Sequence, residues 1–573
     1  MAQELVRGYG RSTMSPRCAI KIDLQKAFDS LDWNFLFKVL KVLGFPGQFI
    51  GWIRSCITKP WYSLSINGGL VGYFRGRRGV RQGDPLSLYL FVIGMNVLSS
   101  LLDAAVAYGV FSYHPKCKKI NLTHLCFADD LLIFAKGNVS SVEGIYKVMQ
   151  VFYSYSGLQL NNSKSELFST GVKREVLEEM QQLTGFKLGK LPVRYLGVPL
   201  VTRKLTMRDC SSLIEKITAR ITCWSSKLLS YAGRVQLIRS VLFSMQNYWC
   251  RNFLLPKGVL NKVNQMCAGF LWKGKAFTAK GARVNWKDVC HPRSEGGLGL
   301  KDMASWNKAC IMQNIWAIIC KAGSIWIAWV EAYMLKGRDF WQVSASNNSS
   351  WNWRKLLQLR TEVLQFVTWT NGRASWGFPG NKYRAAVVWQ VIRHKKEKVE
   401  WHKLIWGALV VPKHATIAWM AVLNRLPTKD RIKSWGLEVD GKCVLCGGEE
   451  ETRDHLFHGC TFSRQLWGKI MEISGHSRAM TSWSGEFQWM IQKCKGKSLV
   501  SIILRLAWQA LIYYIWIERN NRIYKGREKT VVQILEQIKE VVSIRTKGLK
   551  KVKLDSVNFT LYSSWNLSQI IFV

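Results

Sequence analysis

Between Pro16 and about Phe168, short apolar runs alternate with stretches of helical periodicity. "RCAIKIDL" reads as a strand, and it empties into the helical pattern "QKAFDSLDWNFLFKVLKVLGF", with Gly44 near its end. "WYSLSINGGLVGYFRGRRGV" predicts a β-hairpin turning at Asn67-Gly68-Gly69. A helix is expected from Pro85 to about Tyr108. "LCFADDLLIF" then gives two apolar arms of a buried strand pair around a tight turn at Asp129-Asp130. "VEGIYKVMQVFYSYSGLQLN" supplies a further amphipathic helix. This alternation implies an α+β fold, a sheet flanked by helices.

Beyond it, residues 175–275 are helical and basic, as in "SYAGRVQLIRSVLFSMQNYW". The Gly-rich and aromatic stretch "VNWKDVCHPRSEGGLGLKDM" leads into a Trp-rich section at 300–395, to which the sequence assigns no chemistry. Cys and His cluster between about 400 and 470, and a mixed helical tail closes the chain. "SIILRLAWQALIYYIWIERNN" contains Arg505 and runs into charge, so it is expected to be a buried helix rather than a membrane span. A length of 573 residues implies two to four domains, and 48% hydrophobic residues imply folded protein rather than disorder.

Charge changes the picture most. Eighty-two Lys and Arg against 37 Asp and Glu leave +45, a surplus that attracts polyanions, nucleic acid above all. Fifteen scattered Cys suit a reducing compartment, and the N-terminal stretch has no apolar signal core. The chain is therefore expected inside the cell, nuclear or cytoplasmic, and not secreted.

Against that background, Asp129 and Asp130 stand out. Two adjacent carboxylates in an apolar hairpin repel one another, and a divalent cation removes the repulsion at least cost. Asp23, at the end of the strand in "IKIDL", is the natural third carboxylate. Such a set holds two metals about 4 Å apart, the device for in-line phosphoryl transfer. The plainer alternatives are that Asp23 caps a helix and that Asp129-Asp130 merely make a turn. Between the acidic strands lies "GVRQGDPLSLYLF". Its Gly79 and Gly83 permit close backbone approach to a ligand, Arg81 and Gln82 offer donors, and Pro85 suits a helix start.

In that order, "KIDLQKAFDSLDW", "GVRQGDPLSLYLF", "FADDLLIF" and "SGLQLNNSKSELF" resemble the palm motifs of reverse transcriptases, most closely those of non-LTR (LINE-type) retrotransposons of plants. "RYLGVPL" and "WKDVCHPRSEGGLGLKDM" are similar to the same lineage, so the resemblance runs over residues 1–475. It implies RNA-directed DNA synthesis from dNTPs on an RNA template with a DNA primer or target. It also implies two Mg²⁺ liganded by Asp23 and Asp129, with Asp130 third in the acidic set. Phe28 matches the aromatic gate that excludes a 2′-hydroxyl, and Gln82 and Gly83 match the loop at the nucleotide and template. Lys164 matches the lysine beside the leaving pyrophosphate; as a plain alternative it is a solvated turn residue.

"CVLCGGEEETRDHLFHGC" offers Cys443, Cys446, His455 and Cys460 with the spacing of a structural Zn²⁺ site. His458 is the alternative to His455, which the resemblance to these elements' zinc-binding module favours. The expected divisions are a palm at 1–170, a helical thumb-like region at 171–275, a Trp-rich connector at 276–398, the zinc module at 399–475 and a helical tail at 476–573. Three departures qualify the likeness. Leu88 stands where the family has proline, no recognisable ribonuclease H segment follows the zinc module, and the fingers region expected ahead of Asp23 is not recognised in the residues given. The chain alone is therefore expected to polymerise weakly or not at all. A catalytically silent nucleic-acid-binding remnant is the second reading, and an intron-maturase-like or telomerase-like polymerase, for which no zinc unit is expected, is the third.

Overall fold

The computed structural model describes residues 1–11, 13–225, 229–275, 281–346, 349–370, 373–377, 382–478, 481–553 and 555–572. The chain forms two compact units, one of residues 1–210 with 310–384 and one of residues 211–309 with 385–573. The segment expected as a Trp-rich connector is thus divided between them.

The strands of the first unit that matter below are β1 (Arg17–Ile22), β2 (Trp61–Ile66), β3 (Gly69–Arg75), β4 (His124–Phe127), β5 (Asp130–Lys136), β6 (Glu166–Thr170) and β7 (Lys187–Leu188). Five of them make one sheet in the order β4-β5-β1-β6-β7. β1 is central and antiparallel to both β5 and β6, while β7 runs parallel to β6. A strand covered on both faces needs no polar alternation, and Cys18, Ala19 and Ile20 are all fully buried. Two helices, α1 (Pro85–Ala107) and α2 (Val139–Ser156), supply Phe91, Met95 and Leu98, and Ile145, Met149 and Phe152, to the core shared with Ile20 and Ile133.

Three local expectations are corrected by the structure. The run from Gln25 to Phe45 is two helices, Ala27–Ser30 and Trp33–Val42, because Leu31 is extended and Asp32 caps the second by accepting from Phe35 N–H at 2.8 Å. The acidic hairpin turns at Ala128-Asp129, with Phe127 paired to Asp130, so Asp130 already belongs to β5. Its first arm is not buried: β4 is an edge strand, and Phe127 is 67% exposed. The β2–β3 hairpin turns at Asn67-Gly68, both at positive φ, as a two-residue connection demands.

Residues 310–384 complete this unit. Ser350 Oγ donates to Glu4 Oε1 at 2.6 Å, and Trp329 Nε1 donates to the Lys116 carbonyl at 2.9 Å. Lys116 Nζ in turn donates to the carbonyls of Glu4, Leu5 and Arg7, tying down the N-terminal arm.

The second unit is helical. Its longest helix, Leu499–Lys525, buries residues all around its circumference, Trp508, Leu511 and Ile515 among them. Several of its polar groups bond within the unit, while Arg505 Nε, Trp508 Nε1 and Gln509 Oε1 are buried without a partner. Gln509 Nε2 donates to the Leu404 carbonyl at 2.6 Å, and Arg505 donates to the Cys494 carbonyl at 2.7 Å. Arg519 and Glu451, 2% and 0% exposed, form a close ion pair at 2.7 Å that fastens the helix to the Cys/His-rich segment. By length and composition this helix and α1 are the two, among the described residues, that could cross a membrane, with 72% and 39% of their apolar windows buried in the protein.

Candidate active site and metal centre

The last rung between β1 and β5 pairs Ile22 with Leu131, so Asp23 and Asp130 stand one step beyond it on neighbouring strands. The turn delivers Asp129 to the same end of the sheet, helped by Ala128 in the left-handed region at φ 53°. Asp23 and Asp130 are half-buried and Asp129 is exposed. Burial holds the Asp130 carboxyl above the usual range; the Asp129 charge adds to this, Lys21 opposes it and Asp23 adds again. Three hard oxygen donors that repel one another at one sheet end suit a divalent cation chemically.

Asp23 is fixed through its backbone. Its N–H donates to Ser165 Oγ at 3.1 Å, and its carbonyl accepts from Asn161 N–H at 2.8 Å. The turn bearing Lys164 therefore sits directly on the strand end, with Lys164 itself exposed.

The Gly79–Asp84 loop is anchored with little tolerance. Gly79 N–H donates to Leu31 O and Val80 N–H to Phe28 O, both at 2.7 Å, while Trp33 Nε1 donates to Gly79 O at 2.6 Å. Gly79 has φ 87°, and a Cβ there would lie 2.5 Å from the Asp29 carbonyl oxygen, so only glycine fits. Arg81, Gln82 and Gly83 are then presented to solvent. Asp84 accepts from Leu86 N–H at 2.8 Å and caps α1, which begins at Pro85 although Leu88 occupies the expected proline position. Phe28 is half-buried and stacks on Phe91, with centroids 4.5 Å apart. Tyr195 escaped the sequence reading of roles. It is 8% exposed, and burial, then Asp130 and Cys126, push its hydroxyl up to about 12, which sets it beside the acidic turn. Its signal was "RYLGVPL", a phrase with a family likeness but no assigned part.

In the second unit, one donor atom each from Cys443, Cys446, His455 and Cys460 gathers within 4.8 Å. Cys443 and Cys460 sulfurs are 4.0 Å apart, and Cys446 Sγ lies 3.3 Å from His455 Nε2. A tetrahedral sphere with metal–sulfur bonds of about 2.3 Å has edges near these lengths, so three sulfurs and one nitrogen fit Zn²⁺. His455 Nδ1 contacts the Glu449 carboxylate at 2.9 Å, which orients the ring with Nε2 toward the cluster. Five residues along an α-helix, two side chains diverge by about 140°. Here His455–Gly459 is a π-turn, closed by Cys460 N–H donating to His455 O at 2.6 Å, and this wider turn brings both ligands to one side. Cys460 also sits at the N-terminus of the helix Thr461–Ile473. The Cys443 contact first, then the backbone N–H groups of Ser463 and Phe462, lower its pKa, while the same contact and burial raise that of Cys443. His458 is outside the cluster. It is 2% exposed, packed on Trp483 at 5.2 Å, and burial lowers it to about 4. The choice left open between the two histidines falls to His455.

This geometry agrees with the chain's relatives. Residues 5–200 match the family "Reverse transcriptase (RNA-dependent DNA polymerase)", and residues 383–467 match "zinc-binding in reverse transcriptase". The chain therefore carries a reverse-transcriptase domain and the zinc-binding module that accompanies it. More narrowly, the relatives it matches are proteins of non-LTR retrotransposons. It is 28% identical to the Pol polyprotein of the type-1 retrotransposable element R2 of Popillia japonica, over 60% of this chain and 56% of that protein. It is 26% identical to the transposon TX1 149 kDa protein of Xenopus laevis, over 51% of this chain and 22% of the relative. A protein of Arabidopsis thaliana carried under a ribonuclease H name is 32% identical over 30% of this chain and 29% of its own length. The chain thus spans well under two thirds of these relatives.

Proposed function

We propose that the chain is an RNA-directed DNA polymerase of a LINE-type element, extending the 3′-hydroxyl of a DNA primer or target with dNTPs on an RNA template. The observation that carries this is the convergence of Asp23, Asp129 and Asp130 at one sheet end, with the Gly79–Asp84 loop anchored on the Phe28–Leu31 segment that follows Asp23. Asp23, Asp129 and Asp130 would hold two Mg²⁺, which supply activation of the attacking hydroxyl and charge neutralisation at the leaving pyrophosphate. Phe28, braced by Phe91, would supply the ring that bars a 2′-hydroxyl. Arg81, Gln82 and Gly83 offer exposed donors and open backbone to nucleotide and template, and Lys164 offers a cation near Asp23. In this reading residues 171–275 serve as a thumb-like region, and the zinc module with its tail grips nucleic acid inside the cell.

Primer extension on an RNA template with Mg²⁺ tests the reading. Synthesis should be lost in Asp23→Asn and Asp129→Asn while template-primer binding persists. Extension by this chain alone is expected to be weak; salt-dependent binding with whatever extension remains unchanged in both variants would overturn the reading in favour of a silent binding remnant.

A further inference from the structure

The phrase "VNWKDVCHPRSEGGLGLKDM" has no part in the chemistry above, yet the second unit builds a cavity of about 270 Å³ from it. That is just below the range of about 300–1,000 Å³ typical of small-molecule sites. One wall is Trp286 with Gly299–Lys301 and Met303; the other comes from the helical stretch 238–246 and from Asn264 and Cys267. The floor is buried and mostly apolar: Ile238, Cys267, Leu300 and Met303 are each less than 5% exposed, and the one polar side chain as deeply buried in the lining is Gln246, whose Nε2 lies 3.7 Å from Cys267 Sγ. The mouth is different. Arg239, Lys301, Phe243, Trp286 and Asn264 are half-buried there, and both charged residues that line the cavity are cations.

Two further features show that the walls are shaped. The stretch Ile238–Leu242 is a π-turn, a departure from α-helix that recurs at functional positions, and Ile238, Arg239, Phe243 and Gln246 around it all face the cavity. The opposite loop cannot slide. A Cβ on Gly297 would lie 2.1 Å from the His291 carbonyl oxygen, and Arg239 donates to Leu298 O at 2.7 Å. Trp286 Nε1 donates to Asn264 Oδ1 at 3.2 Å, which fixes the amide at the mouth.

We propose that this cavity binds a planar heteroaromatic ring bearing one anionic group, a nucleotide whose base enters the apolar floor and whose phosphate meets Arg239 and Lys301. The choice of a nucleotide over another aromatic anion rests on the polymerase reading; the cavity and its charge do not. The shared chemistry has two sources, a free mononucleotide or an unpaired residue of a bound strand.

The test is photo-crosslinking of the full chain by 8-azidoadenosine 5′-monophosphate without added Mg²⁺, mapped by mass spectrometry and compared with 8-azidoadenosine. A parallel arm uses a single-stranded oligonucleotide carrying one 8-azidoadenine. Crosslinks are expected on the peptides containing Trp286 or Met303, with about tenfold lower yield for the nucleoside. Arg239→Gln and Lys301→Gln should lower the nucleotide yield to the nucleoside's level, and Cys267→Met, which fills the floor, should lower both. Labelling by the monophosphate alone identifies a free nucleotide, and labelling by the oligonucleotide identifies a strand residue. Crosslinks confined to other peptides, or yields unchanged in both charge variants with unaltered thermal unfolding, would overturn the proposal. Because no extension is measured, failure here is distinct from failure of the polymerase reading.

Discussion

Gly79 and Gly83 bracket one loop at nearly the same backbone angle, φ 87° and 90°, but in different surroundings. A Cβ on Gly83 would meet nothing within 4 Å, whereas one on Gly79 would lie 2.5 Å from Asp29 O and 2.7 Å from Asp29 Cα. Gly83→Ala should therefore cost only the left-handed penalty, about 1–2 kcal/mol. Gly79→Ala carries the same penalty and must also push the Asp29 backbone away. That movement strains the two 2.7 Å bonds from Gly79 and Val80 to Leu31 and Phe28, each worth about 1 kcal/mol. The expected total is about 3–4 kcal/mol. Urea unfolding gives the difference between the variants, and hydrogen exchange at Gly79 and Val80 locates it. The loop would also leave its place beside Phe28, so primer extension should fall further for Gly79→Ala than for Gly83→Ala. Equal destabilisation, or unchanged protection of those two amides in Gly79→Ala, would refute the reasoning.

Three other outcomes follow from the second unit. Metal analysis of purified protein should show zinc lost in Cys446→Ser and retained in His458→Gln, since only Cys446 belongs to the cluster. Glu451→Gln should cost about 3–5 kcal/mol by leaving Arg519 buried without its counter-charge, and Glu451→Leu with Arg519→Met should recover most of it; additive losses in a double-mutant cycle would contradict the coupling. His414 is 1% exposed against Tyr513, and burial, with Lys413 assisting, lowers its pKa to about 3. The unfolded chain binds the proton first, so His414 contributes stability above about pH 6.5 that is lost as pH falls toward 3. Denaturation between pH 7 and 4 should show a slope shallower by up to about 1.4 kcal/mol per pH unit in His414→Phe.

Much of the palm was legible because its signals are local. An apolar run ending in Asp23, Asn67-Gly68 between two strand patterns, and Asp84-Pro85 before a helix each announce themselves within a few residues. The Cys/His spacing was equally plain, and the family likeness favoured His455 over His458, but the π-turn that brings His455 and Cys460 to one side is nothing a pattern of residue types reveals. The split between Ser30 and Trp33 was missed because helical periodicity continues across it, and Asp32 is recognisable as a cap only once Phe35 N–H is seen bonded to it. The place of Tyr195 beside Asp130, the Arg519–Glu451 pair and the cavity behind Trp286 all join residues far apart in the chain. Nothing in a neighbourhood of sequence encodes such meetings.

The interleaving of the two units bears on how the protein is made. Residues 211–309 leave the ribosome before the residues that finish the first unit, Trp329 and Ser350 among them. The nascent chain must hold the palm sheet without these partners while a portion of the second unit has already emerged and its long helix is still untranslated. The first unit can still close before the second, but only once residue 384 has emerged, and a chain ended at residue 210 would stop at the same unfinished stage. The shortest span that can close the first unit runs to residue 384, carrying along the 99 residues 211–309 that belong to the other.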